Sequence, residues 1–175
     1  MTRIFLVGYM GVGKTTYGRM LASALGLQFY DLDHYISQRR QRTISQIFSE
    51  KGADGFRLIE RNLLHEVAEF EDVVVSCGGG TPCFFDNMDY LNAQGTTIYL
   101  KAPTDFIINH LLKSATERPL LAGKTDEELG EFVRSQLKER EIFYNKSKHI
   151  VDTSSATTRQ EISECINEMV KNLNL

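Results

Sequence analysis

Residues 8–15 read Gly8-Tyr9-Met10-Gly11-Val12-Gly13-Lys14-Thr15, a G-x-x-x-x-G-K-[ST] run set between an apolar stretch, Ile4-Phe5-Leu6-Val7, and an amphipathic one. Glycines at these positions let backbone N–H groups curl around a phosphate. Lys14 can then reach the β and γ oxygens, and the Thr15 hydroxyl can ligate Mg²⁺. The spacing predicts a nucleoside triphosphate site whose contacts are Gly11, Val12, Gly13, Lys14, Thr15 and Thr16. Downstream, Tyr17, Met20, Leu21, Ala24 and Leu25 recur at helical spacing and Gly26 supplies a stop. Lys14 and Thr15 therefore fall in a first helical turn, where unpaired N–H donors and the positive dipole end favour an anion.

A phosphate loop serves switches, motors and kinases alike, so the remaining chemistry decides between them. Guanine-specific switches carry Asn-Lys-x-Asp, and Asn145-Lys146-Ser147-Lys148 lacks the aspartate. Motor ATPases place an acidic residue at a hydrophobic strand end to hold Mg²⁺, but Val73-Val74-Val75 runs into Ser76, Cys77 and three glycines. The acidic partner is expected instead in Asp31-Leu32-Asp33. A strand period of two would put both carboxylates on one face at the end of the second strand, with Leu32 packed the other way. One aspartate can then serve the metal while the other positions or deprotonates an acceptor hydroxyl. The alternative is a pair of solvated helix-start aspartates, with Asp33 as the N-cap.

Two arginines suggest an anion clamp. At about 100° per residue, Leu129, Val133, Gln136 and Arg140 share one stripe of a helix over 126–145. A buried arginine needs an anion, either an internal carboxylate or a bound substrate. Arg57 lies at the edge of the apolar face of Phe56, Leu63 and Val67, with Glu60 three residues on to orient it or merely to pair with it at the surface. Gly78-Gly79-Gly80 costs chain entropy, which close backbone approach to a ligand or a tight turn would explain. Arg118, before Pro119, is a candidate to meet transition-state charge together with Lys14 and Mg²⁺.

Positioning these groups requires a regular scaffold. Short, nearly continuously apolar runs at 3–8, 28–30, 72–76, 96–100 and 148–152 alternate with helix-length spacers, which predicts a parallel sheet covered on both faces, with ligands at the strands' carboxyl ends. Thr158-Arg159-Gln160-Glu161 reads as a capping box opening a structural last helix through Ile162, Ile166, Met169 and Val170. Segments 33–61 and 114–125 break the alternation, and such insertions are where acceptor sites and lids sit.

The chain of 175 residues, 42% hydrophobic, suits one domain with a sizeable core. A net charge of −3 with interspersed signs gives no basic field for nucleic acid or anionic membrane. Cys77, Cys83 and Cys165 are too few for a disulfide framework and show no metal-ligand spacing, which suits a reducing cytoplasm; Cys77 lies beside the expected site, where a thiol could react. There is no apolar run long enough for a membrane span, and a strand begins within three residues of Met1, so no cleaved signal peptide is expected.

Taken together, Gly8–Arg19, Asp31-Leu32-Asp33, Gly55-Phe56-Arg57 with Glu60, Gly78-Gly79-Gly80, Arg118-Pro119-Leu120-Leu121, and Arg140 with Tyr144 resemble the shikimate kinase family over essentially the whole chain. The resemblance implies a three-layer α/β P-loop kinase fold of the nucleoside-monophosphate-kinase-like group. Its five-stranded parallel sheet would be flanked by helices, in a single domain over 1–175 with a substrate-binding region at about 33–61 and a lid at about 112–125. It implies a monomer that phosphorylates the 3-hydroxyl of shikimate with ATP, yielding ADP, on the route to chorismate. By that resemblance Asp33 binds the ring hydroxyls and acts as base, while Arg57, Arg140 and the Gly79 backbone hold shikimate. Arg118 closes over the ATP phosphates, and Asp31 reaches Mg²⁺ through water, beside Thr15. Lys113 stands where family members often carry an arginine stacked on adenine. Taken alone, the residues leave open a kinase of gluconate or of a nucleotide, and a regulatory protein that binds ATP without transferring phosphate.

Overall fold

Val73, Val74 and Val75 are buried on both faces, as expected of a strand inside a covered parallel sheet. In the computed structural model, which describes residues 1–114, 125–172 and 174, they form β3 (Val73–Ser76). The other strands are β1 (Arg3–Val7), β2 (Gln28–Asp31), β4 (Thr96–Lys101) and β5 (His149–Asp152). They assemble in the order β2-β3-β1-β4-β5, with every pairing parallel. The continuous-apolar reading holds for β1, β3 and most of β4. The edge strands β2 and β5 are only partly covered, because each has a neighbour on one side alone.

The helices are α1 (Lys14–Leu25), α2 (Leu32–Arg40), α3 (Ile44–Ala68), α4 (Asn87–Gln94), α5 (Thr104–Ser114), α6 (Asp126–Tyr144) and α7 (Arg159–Asn172), with a 3₁₀ turn at Thr81–Cys83. Gly26 ends α1 in the left-handed region, as predicted. The buried face of α1 is Tyr17, Gly18, Leu21 and Ala22; Ala24 is exposed, contrary to the sequence reading. Gly18 sits on that face because a Cβ there would run into the Phe29 ring of β2. The capping box of α7 forms, Glu161 N donating to Thr158 Oγ1 at 3.3 Å and Thr158 N to Glu161 Oε2 at 2.8 Å. Helix α3 opens on a capping box of Thr43 and Gln46 and is interrupted at Gly52 (φ 69°, ψ 179°).

The strand order places β1 between β3, reached after α1, β2, α2 and α3, and β4, so the chain leaves β1 at the point where the winding reverses. Ligands on open parallel sheets settle at that crevice. The phosphate loop leaves β1 there, α2 leaves β2, and Cys77-Gly78-Gly79 leaves β3. Among the described residues no helix is long and apolar enough to cross a membrane.

Candidate active site

Helix α1 begins at Lys14 behind Gly13, whose φ of 94° only glycine adopts readily, and no side chain caps the helix. Its first N–H groups therefore face a cavity of about 340 Å³ lined by Gly11, Gly13, Lys14, Thr15, Thr16, Asp31 and Asp33. Backbone arranged in this way suits an anion. The Lys14 ammonium is held over the loop, donating to the carbonyls of Gly8 (2.8 Å) and Tyr9 (2.9 Å). Val12 is buried, so only its backbone can serve a nucleotide.

Asp31 and Asp33 do converge, but not by strand alternation. The strand stops at Asp31, which caps α2 by accepting from His34 N at 3.2 Å. Asp33 lies one residue inside the helix and is not the cap. The turn from strand to helix swings both carboxylates toward the phosphate loop while Leu32 is fully buried behind them. Asp31 Oδ2 accepts from Thr15 Oγ1 at 2.7 Å, which ties strand two to the loop. Asp33 opens to the solvent of the cleft but is crowded by its walls. That crowding, reinforced by the negative charges of Asp31 and Glu60 and opposed by Lys14 and Arg57, pushes its pKa up to about 6.

A second cavity of about 320 Å³ adjoins the first, lined by Asp33, Phe48, Phe56, Arg57, Glu60 and Arg140, and both cavities share Met10, Asp33, Gly78 and Gly79. Arg57 is not a surface pair with Glu60. The Glu60 side chain is 1% exposed and accepts from Arg57 Nη1 at 2.5 Å and from Thr81 Oγ1 at 2.6 Å. A buried carboxylate anchored at both oxygens holds one edge of the guanidinium and leaves its other donors for a ligand. Arg140 is half-buried, lies 5.5 Å over the Tyr9 ring, and forms no ion pair among the described residues. The internal carboxylate that the sequence left open for it is therefore absent from the described residues.

The glycine triplet follows from proximity, not from a left-handed turn. A Cβ on Gly78 would lie 3.0 Å from Asp33 Oδ1, one on Gly79 3.5 Å from Arg140 Nη1, and one on Gly80 2.6 Å from Arg57 Nη2. Gly78 and Gly80 thus make room for Asp33 and Arg57, whereas a Cβ on Gly79 would meet Met10 N first, at 3.3 Å. Tyr144 Oη donates to the Gly79 carbonyl at 2.5 Å and fixes that peptide.

Sequence reasoning missed Phe48 as a wall of the second cavity and His110 as a wall of the first. Phe48 stacks on Phe56 at 4.2 Å across the break at Gly52, a contact that helical spacing did not signal. His110 projects from the non-apolar side of α5, where periodicity carries none. Lys113 is exposed and lines neither cavity. Cys77 is buried, and burial pushes its thiol well above the ordinary range, so the reactivity considered for it does not hold. Arg118 and most of the expected lid, 115–124, lie outside the described residues.

The family model for shikimate kinase matches residues 10–171. A shikimate kinase of Phocaeicola vulgatus is 49% identical over 99% of each chain. The crystal structure of the Bacteroides thetaiotaomicron shikimate kinase superposes with a TM-score of 0.96 at 44% identity, covering 99% of both chains. That of the Acinetobacter baumannii enzyme, in complex with shikimate, gives 0.87 at 32% identity over 100% of this chain and 96% of that one. A Sinorhizobium meliloti gluconokinase shares the fold alone, with a TM-score of 0.60 at 17% identity. Identity of this order along nearly every residue, on a backbone that matches as closely, means that the chain belongs to the shikimate kinase family.

Proposed function

We propose that the two adjoining cavities carry out ATP-dependent phosphorylation of the 3-hydroxyl of shikimate, giving shikimate 3-phosphate and ADP on the way to chorismate and the aromatic amino acids. The observation that carries this reading is that Asp33 lines both cavities, as a residue must if it meets an acceptor hydroxyl in one and a γ-phosphate in the other. Arg57 and Arg140 grip the acceptor carboxylate, and the Gly79 backbone closes on the ring. Asp33 orients the 3-hydroxyl and takes its proton as the oxygen forms its bond to the γ-phosphorus and the bond to the ADP oxygen breaks. The Lys14 ammonium and the N–H groups of residues 11–16 hold the phosphates and meet the charge that develops on them. Arg118 is read as closing over those phosphates.

The Thr15 hydroxyl and the Asp31 carboxylate are hard oxygen donors already joined by a hydrogen bond, the chemistry that suits Mg²⁺, which keeps several waters and leans on phosphate oxygens. Among the described residues no cluster of three or more His, Cys, Asp or Glu side chains could hold a metal by itself, so such an ion would depend on the nucleotide. Thr15 would ligate it directly and Asp31 through water. When bound, Mg²⁺ neutralises phosphate charge.

The domain spans 1–175, with its substrate region at about 33–61 and its lid at about 112–125. We read the protein as a cytoplasmic monomer that binds neither nucleic acid nor membrane. A coupled ADP-release assay with ATP, Mg²⁺ and a panel of shikimate, gluconate and nucleoside monophosphates tests the assignment. Turnover with shikimate alone is expected. Preference for another acceptor, or no ADP release with any of them, overturns it.

A further inference from the structure

The Arg57 guanidinium meets more than Glu60. Its central carbon lies 4.1 Å from the centroid of the Phe84 ring and 5.2 Å from that of Phe56. Phe56 lines the acceptor cavity and Phe84 does not. Phe84 follows the 3₁₀ turn and is 38% exposed. The segment that carries it is pinned to α3 one turn further along. Arg61 donates to Asp86 Oδ1 from Nε at 3.1 Å and from Nη2 at 2.8 Å, and lies 5.4 Å from the Phe85 ring. Phe85 itself takes φ 51°, a left-handed conformation that bulky residues seldom adopt. Residues 84–86 thus clasp two successive arginines of α3, and the clasp sets a ring against the one that faces the acceptor.

We propose that Phe84 is a positioning residue for acceptor binding, which holds the Arg57 guanidinium by a cation–π contact in the plane that presents its free donors to the substrate carboxylate. A flexible arginine aimed at a carboxylate loses rotamer freedom on binding. Glu60 restrains one edge of the guanidinium and the Gly80 backbone crowds another. Neither restrains rotation about the Glu60 contact, whereas an aromatic surface at 4.1 Å does. The inference rests on the assignment of Arg57 to the acceptor carboxylate.

The test is a series at position 84 assayed with shikimate and ATP. Phe84→Ala and Phe84→Leu are expected to raise the KM for shikimate about tenfold, in line with a partly desolvated cation–π contact, with kcat and the KM for ATP within twofold of the parent. Phe84→Tyr restores the parent value because the ring is kept. A Phe84→Leu enzyme with the parent KM would mean that bulk and not the π face matters, and would overturn the proposal. An equal rise in both KM values would overturn it too, as that is the mark of a general structural role. Phe84→Trp introduces tryptophan into a chain that has none, so shikimate binding can be followed by its fluorescence without turnover. An emission change that saturates with shikimate supports the contact, and unchanged emission at shikimate concentrations that saturate turnover refutes it. Should the parent enzyme phosphorylate another acceptor, the functional reading fails at that step, before any variant is compared.

Discussion

Replacing Gly80 by alanine separates binding from folding. Gly80 has φ −88° and ψ −18°, a conformation that alanine adopts without strain. The substitution also removes freedom from the unfolded chain, an effect of about 0.4–1 kcal/mol in favour of the fold. The added methyl carbon, however, would stand 2.6 Å from Arg57 Nη2, 3.0 Å from Nη1 and 3.1 Å from Cζ. Ordinary contact needs about 3.4 Å or more, so the guanidinium must retreat by roughly an ångström. It is the far end of a flexible side chain, and the fold tolerates the move. Acceptor binding does not, because the displaced group can stay beside Glu60 but loses its fit to the substrate carboxylate, and an ångström of misplacement at a reacting site costs about 10²-fold. Gly80→Ala is therefore expected to keep its Tm within about 3 °C of the parent, to raise the KM for shikimate 10- to 100-fold, and to leave the KM for ATP unchanged. Steady-state kinetics in both substrates and a thermal melt measure all three. A normal shikimate KM would refute the reasoning, since it would show that Arg57 can leave its observed position without consequence.

Four further outcomes follow from the geometry. With the Asp33 carboxyl raised to about 6, kcat/KM should climb as pH rises through about 6; Asp33→Asn should lower turnover about 10²-fold or more and abolish that limb, and a limb that persists in the variant belongs to another group. The same shift carries a stability sign. A carboxyl whose folded value lies above its ordinary value of 3.8 penalises the fold once ionised, so Asp33→Asn should melt higher than the parent above about pH 6, with the difference gone below about pH 4. Arg140→Ala should raise the KM for shikimate about 10- to 100-fold, the loss of a charge-assisted hydrogen bond, while ATP affinity measured by calorimetry is unaffected. Gly8→Ala should behave oppositely to Gly80→Ala: φ is 145° and the new Cβ would meet the Leu100 carbonyl oxygen at 2.7 Å, so a melt should show a loss of about 2 kcal/mol or more.

Local rules made several elements legible in the chain itself. The phosphate loop was readable because glycine, lysine and threonine at fixed spacing serve one physical task, and the first turn of α1 follows from the same residues. The central strands could be read because burial on both faces demands uninterrupted apolar side chains, and the helix bearing Arg140 because its stripe is periodic. Phosphoryl transfer, the aspartate pair and an anion clamp followed from residue types, whereas naming the acceptor needed the resemblance to a family.

What only the tertiary structure decided is which groups meet across long separations in the chain. Asp31 and Asp33 come together through a strand-to-helix turn, not through pleat alternation, because the backbone hydrogen bonding of β2 ends at Asp31 and that residue is taken up as a cap. That Arg140 forms no ion pair among the described residues depends on which acids α6 packs against. The need for glycine at 78 and 80 became visible only when Asp33 and Arg57 were found pressed against them. Periodicity and spacing report the energetics of one segment at a time. A site assembled from the ends of three strands and the faces of two helices is determined by packing between segments, and no local pattern encodes that.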